Sequence, residues 1–168
     1  MNTADLLFES WDRQCAILDS VTSLVNQDNR GAKPSEDGWP IDAHLAHMHG
    51  TRRYFLSQVA PDLAESLPAA FAEGASTPHP DLEHIKYCLS ASSLAIKEAV
   101  KRGLEKGGPL SGGHVVYDSP VLLLQHMIWH EGWHVGLIFL ALRLNGEEPA
   151  EEWEEIEVWG RWRTESWE

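Results

Sequence analysis

The most chemically suggestive stretch of the sequence is HEGWH at residues 130–134, which contains the pattern His-Glu-x-x-His. Residues four apart on a helix share a face, so His130 and His134 can reach one metal ion through their imidazole nitrogens. His126 extends this row by one more turn. In zinc proteases with this pattern the glutamate is the general base, which makes Glu131 a candidate for proton transfer.

A second group of histidines lies close to the middle of the first half of the chain. His44 and His47 are three residues apart and share a helical face, whereas His49 points roughly away from His47. Neutral imidazole is a common ligand of transition metals. Six histidines on two predicted helices therefore favour a metal site over isolated, hydrogen-bonded imidazoles. His44, like Glu131, is a candidate for proton transfer or for supporting the ligands.

Two known classes of metal site fit the sequence poorly. The extended metzincin pattern needs Gly and His three and six residues after the second histidine, where this chain has Leu137 and Leu140. A di-iron bundle needs two Glu-x-x-His motifs, and the pair Glu131 and His134 is not repeated elsewhere. The substrate cleft of a zinc protease also needs a sheet edge, and no sheet is predicted here. A zinc protease is therefore the least favoured interpretation.

Four segments have the periodicity of amphipathic helices, and they must position these histidines. They cover approximately residues 3–28, 41–60, 81–106 and 120–144. No segment alternates with the period of a half-buried strand, and HVVY at 114–117 is too short to build a sheet. Amphipathic helices in one domain bury their apolar stripes against each other, so we predict an all-α four-helix bundle.

The ends of these helices carry recognisable signals. Thr3 is expected to be the N-cap of the first helix, and Ser119 followed by Pro120 is a typical start for the fourth. The prolines of residues 61–80 break any long helix in the connection between the second and third helices.

We expect a single domain over residues 1–168, in which 147–168 forms a short Trp-rich C-terminal extension that packs on the bundle. Indole rings are costly to leave in water, so Trp153, Trp159 and Trp162 are expected to cover an apolar surface. That surface belongs to the bundle itself, to a pocket or to a second copy of the chain. A homodimer is therefore one of the alternatives.

Composition excludes several functions. The formal net charge of −13 repels phosphate backbones, so we expect a small-molecule substrate and no nucleic acid. The start of the sequence lacks a secretory signal and no segment is apolar enough to span a membrane, so we expect a cytoplasmic protein without membrane contact. Cys15 and Cys88 are then expected to be reduced thiols.

Three stretches resemble the DinB/YfiT-like superfamily, named after the damage-inducible DinB protein. LAHMHGTRRYFL at 45–56 is similar to the family's second-helix signature, and HEGWHVGLIFLALRLNG at 130–146 is similar to its fourth-helix signature. DGWPIDAHLAH at 37–47 resembles the usual entry into the second helix. The resemblance implies a four-helix bundle that binds a metal ion through His47, His130 and His134.

The chain departs from the family pattern at two positions. Leu137 stands where Gln is usual, and Arg52 stands where Glu is frequent. These departures leave the three implied ligands intact but change the residues around them.

Three imidazole ligands leave a divalent ion with open positions, which is typical of a catalytic rather than a structural site. Ligand type favours zinc or nickel and is compatible with iron or manganese. Characterised relatives use low-molecular-weight thiols as cosubstrates in transferases and isomerases, and others are proposed hydrolases. The resemblance thus implies an ion that activates a small thiol or water. The alternative is a non-catalytic, metal-binding stress-response bundle.

Overall fold

The computed structural model describes residues 3–163. Helix accounts for 65% of the structure and strand for 5%. This confirms the predicted fold class, an all-α bundle with a short C-terminal extension. The elements, in chain order, are α1 (Thr3–Ser23), α2 (Ile41–Val59), α3 (Pro61–Glu65), α4 (Leu82–Lys106), β1 (Leu110–Gly112), β2 (Val115–Tyr117), α5 (Pro120–Leu144) and α6 (Glu151–Glu157), followed by a 3₁₀ turn (Trp159–Arg161). Among the described residues, no helix has both the length and the apolar character that crossing a membrane requires.

Two of the long helices begin with recognisable terminal signals. α5 begins at Pro120, as predicted, and the amide of Leu122 donates to the carbonyl of Ser119. α4 begins after Asp81, whose carboxylate accepts a hydrogen bond from the amide of Glu83 at 3.0 Å. Such a cap satisfies a backbone donor that the first helical turn cannot pair internally.

α1 is shorter than predicted. Thr3 already lies within the helix rather than being its N-cap, and the helix ends at Ser23 rather than near residue 28. Asn26 and Asn29 account for the early end, because their side chains bond the local backbone. The Asn29 amide donates to the carbonyl of Leu24 at 2.9 Å, and its oxygen accepts from the amide of Asn26 at 2.8 Å. Asparagine competes with helical hydrogen bonding in this way.

A small antiparallel hairpin of β1 and β2 precedes α5, where the sequence predicted no strand. Gly112 explains why it forms: a Cβ there would lie 1.7 Å from the carbonyl oxygen of Gln58, so only glycine lets the hairpin approach α2. Gly113 turns the chain with a φ of +56°. The close backbone approach at Gly112 and the positive φ at Gly113 both require glycine, and the alternation of apolar residues along a strand does not reveal either of them.

The chain divides into two compact units, one containing the described part of Met1–Ile41 with Val135–Glu168 and the other Asp42–His134. In the second unit, apolar stripes of α2, α4 and the first part of α5 are buried as their periodicity predicts. Their fully buried members include Leu45, Met48, Leu56, Ile85, Ile96, Leu124 and Met127. Cys15 and Cys88 are both free thiols, as expected.

In the first unit, the C-terminal extension contacts α1 and the end of α5. The hydroxyl of Ser20 donates to Glu157 at 2.6 Å, and the ring of Trp153 lies edge-on to Phe139 with centroids 6.4 Å apart. Trp159 and Trp162 remain 49% and 41% exposed. Residues 164–168 of the predicted extension lie outside the described part of the chain.

Candidate metal centre

Three imidazole nitrogens converge between α2 and the first half of α5. The Nε2 atom of His130 lies 3.2 Å from Nε2 of His47 and 3.2 Å from Nε2 of His134. One ligand atom from each residue falls within 4.8 Å of the others. The spacing of four residues puts His130 and His134 on one face of α5, and His47 approaches from α2. We call these three residues the His cluster.

The geometry of the His cluster is compatible with metal binding. Two nitrogens bound to one ion at ~2.0–2.1 Å with tetrahedral angles lie about 3.3 Å apart, close to the observed 3.2 Å. Hydrogen bonding alone explains the arrangement less well, because an imidazole nitrogen offers either one proton or one lone pair. Nε2 of His130 would need to serve two partners at once, whereas a shared cation is attractive to all three lone pairs.

The electrostatics of the His cluster keep its imidazoles neutral. Burial lowers the pKa of His134 to about 3 and that of His130 to about 4, with smaller contributions from repulsion by the neighbouring imidazoles. Burial also lowers the pKa of His47. Neutral imidazole has a free lone pair for a metal ion, so protons do not compete for these ligands near neutral pH.

His44 lies behind the His cluster. Its Nδ1 atom is 2.8 Å from Nδ1 of His134, and its side chain is 3% exposed. It therefore contacts the nitrogen of His134 that faces away from the other two cluster residues. A partner at this position fixes the ring orientation and tautomer of a metal-binding histidine.

The remaining histidines lie elsewhere. Nε2 of the buried His49 donates to the carbonyl of Pro68 at 2.9 Å, and His84 donates to the carbonyl of Ala69 at 2.9 Å. His126, one turn before His130 on α5, bonds the hydroxyl of Tyr117. The opposite direction predicted for His49 relative to His47 agrees with this placement.

Glu131 is held in a buried ion pair. Its Oε1 atom accepts from Nε of Arg52 at 2.6 Å, and the two side chains are 0% and 1% exposed. Nη1 of Arg52 also donates to the carbonyl of Leu89 at 2.7 Å and to the hydroxyl of Ser92 at 3.2 Å. This network joins α2, α4 and α5 close to the His cluster. Glu131 thus carries a charge that Arg52 already neutralises.

This ion pair was not predicted, although the sequence contains a signal for it. Arg52 interrupts the buried stripe of α2 between Met48 and Leu56, and Glu131 interrupts that of α5 after Met127. Charged residues are almost never fully buried without a partner. An ion pair between these opposite charges, at core positions of two helices, could therefore have been predicted from the sequence.

Thr51 and Phe55 lie on α2, after His47 in the chain and on the same side of the helix as the His cluster. The hydroxyl of Thr51 lies 3.3 Å from Nε2 of His47, and Phe55 meets the ring of His126 edge-on with centroids 4.9 Å apart. His47 and His130 are both partly exposed, unlike His134. The arrangement is therefore compatible with a metal ion that keeps open positions on this side.

Comparison with curated proteins and with solved structures gives no match. The model of the DinB family matches residues 1–153, which is most of the chain and includes α2, α5 and all three cluster residues. This match agrees with the helical fold and with the signatures around His47 and His130. The chain therefore belongs to the DinB family.

Proposed function

We propose that this protein is a metal-dependent enzyme in which His47, His130 and His134 bind one divalent transition metal ion. The observation that carries the proposal is the convergence of their imidazole nitrogens. Nε2 of His130 lies 3.2 Å from Nε2 of both His47 and His134, and one nitrogen from each residue lies within 4.8 Å of the others. Zinc or nickel suits three imidazoles best, and iron or manganese is also compatible with them. When bound, the ion supplies a Lewis acid that lowers the pKa of a coordinated thiol or water.

The protein's own residues hold the site in place. Nδ1 of His44 lies 2.8 Å from Nδ1 of His134. With the proton of His134 on Nδ1 and donated to His44, the lone pair on Nε2 of His134 is left for the ion. The Arg52–Glu131 ion pair fixes α5 against α2, so the two ligands on α5 and the one on α2 keep their separation. Three neutral ligands leave the full charge of the ion available to a substrate.

The substrate class that we propose is a small molecule, with a low-molecular-weight thiol as cosubstrate in an S-transferase-type reaction or water in a hydrolysis. The high negative charge of the chain disfavours nucleic acid. A zinc protease is disfavoured further by Glu131, because the carboxylate that would act as general base is buried against Arg52.

Turnover assays of the zinc- and nickel-loaded protein test this proposal. Low-molecular-weight thiols would be combined with a chromogenic electrophile, and chromogenic esters would be assayed for hydrolysis. We expect turnover that requires metal, is lost in His130→Ala and is kept in His84→Ala, since His84 bonds the backbone outside the His cluster. Turnover that survives in His130→Ala would contradict the proposal. Metal binding at the cluster without any turnover would favour the non-catalytic stress-response alternative.

A further inference from the structure

A second polar pair lies one helical turn before His130. Nδ1 of His126 is 2.9 Å from the hydroxyl of Tyr117, and the ring centroid of His126 is 6.5 Å from that of His130. Phe55 contacts the same imidazole edge-on. Two contacts therefore fix the orientation of the His126 ring beside the His cluster.

The hairpin fixes Tyr117 in turn. Tyr117 ends β2, and the glycine at position 112 brings the hairpin against the backbone of Gln58 on α2. At the turn, His114 is 2.8 Å from the hydroxyl of Tyr54, also on α2. The hairpin is thus attached to α2 by close backbone approach and by a hydrogen bond, and it presents Tyr117 to α5.

The direction of the hydrogen bond determines which proton His126 offers. Burial raises the pKa of Tyr117 to about 12, so its hydroxyl is protonated, and Nδ1 of His126 is its hydrogen-bond partner among residues 3–163. With the phenol as the donor, Nδ1 of His126 is the acceptor. A neutral imidazole that accepts at Nδ1 carries its proton on Nε2. Burial lowers the pKa of His126, which agrees with a neutral ring.

We propose that His126 is a substrate-binding residue whose Nε2–H group donates a hydrogen bond to an oxygen of the metal-bound small molecule, and that Tyr117 is its positioning residue. No residue of the described chain accepts from Nε2 of His126, and the side chain is partly exposed. The inference rests on the proposed function, since the ligand is held at its other end by the ion of the His cluster.

The distances define the class of ligand. Because the ring centroids of His126 and His130 are 6.5 Å apart, one small molecule can place an oxygen ~2.9 Å from Nε2 of His126 and a donor atom on an ion next to His130. The ligand thus carries a metal-binding atom and, three or four bonds away, a carboxylate or carbonyl oxygen. Phe55 and the ring of Tyr117, with centroids 6.0 Å apart, offer apolar contact to the part between them.

Binding to the cobalt-substituted protein tests this inference without any turnover. The probes are 3-mercaptopropionate and 1-propanethiol, which share the thiol and differ in the carboxylate. The affinity of each thiol is measured by titration, from the increase in the absorption of the cobalt–thiolate complex. We expect a preference for 3-mercaptopropionate of roughly ten-fold or more, because hydrogen bonds to charged groups are the stronger ones.

In the His126→Phe variant, the ratio of the affinities for the two thiols should fall to about the ratio that free cobalt shows. The affinities of this variant for cobalt and for 1-propanethiol should stay unchanged. Tyr117→Phe should reduce the preference in the same direction and serves if the first variant folds poorly. His84→Phe changes a histidine that bonds the carbonyl of Ala69, outside both the His cluster and the hairpin, and should keep the full preference.

Three outcomes overturn the inference. The first is that the wild-type protein shows no preference, and the second is that His126→Phe retains it. In both cases cobalt binding at the His cluster still stands, so only this inference fails. The third is that cobalt does not bind at the cluster, which would contradict the proposed function as well.

Discussion

Replacing Glu131 by Gln should destabilise the protein strongly, because it removes the carboxylate from a buried guanidinium. The side chains of Glu131 and Arg52 are 0% and 1% exposed, and their contact is 2.6 Å. Breaking a buried ion pair by removing one partner costs about 3–5 kcal/mol. That is a large share of the roughly 5–15 kcal/mol that stabilises a typical domain. At ~2–4 °C per kcal/mol for a chain of this size, the melting temperature should fall by about 6–20 °C.

Thermal and urea unfolding of metal-free protein would measure this loss. Glu83→Gln is the matched control, because Glu83 pairs with Lys86 at the surface and is 78% exposed, and its loss should cost less than ~1 kcal/mol. The double variant Arg52→Met with Glu131→Met removes both charges and should be more stable than Glu131→Gln alone. If Glu131→Gln costs no more than Glu83→Gln, the ion pair does not stabilise the core and our reasoning is wrong.

Three further changes have defined outcomes. Replacing His44 by Phe should weaken zinc affinity by roughly 10–100-fold in calorimetric titrations, because His134 loses the partner that sets its tautomer, and an unchanged affinity would contradict that role. The metal-free protein should lose stability as pH falls below 6.5 toward about 4, since the pKa values of His130 and His134 are lowered in the folded state and the unfolded imidazoles bind protons first. Urea titrations from pH 7.5 to about 5 measure this loss, and it should be smaller in a variant with Gln at both positions. Deleting residues 150–168 should lower the melting temperature or dissociate a dimer, because it removes the contact of Trp153 with α5; equal stability and equal mass in solution would refute this.

The sequence predicted best what depends on local chain geometry. The apolar period and terminal signals placed α4 and α5 to within a residue or two, since caps and prolines act over one helical turn. The shared face of His130 and His134 follows in the same way from a spacing of four residues. α1 was predicted too long because Asn26 and Asn29 bond their own backbone, which the apolar period does not reveal.

Features that depend on contacts between distant segments were harder to predict. The spacing of histidines on the second helix left His44 and His47 as alternatives, and the resemblance to the DinB family indicated His47. In the structure His47 faces Nε2 of His130, whereas His44 faces the opposite nitrogen of His134. The hairpin was missed because three-residue strands have too few residues to alternate visibly, and its stability depends on the approach of Gly112 to α2.

Zinc titration of the metal-free protein, followed by isothermal calorimetry and compared with His47→Ala, His130→Ala and His134→Ala, tests the central claim most directly. We predict one ion per chain in the wild type and a loss of affinity by orders of magnitude in each of the three variants, because two imidazoles alone make a poor site. His84→Ala should bind as the wild type does. Zinc binding that is absent from the wild type, that survives in His47→Ala, or that is lost in His84→Ala would contradict the assignment of the His cluster as the metal site.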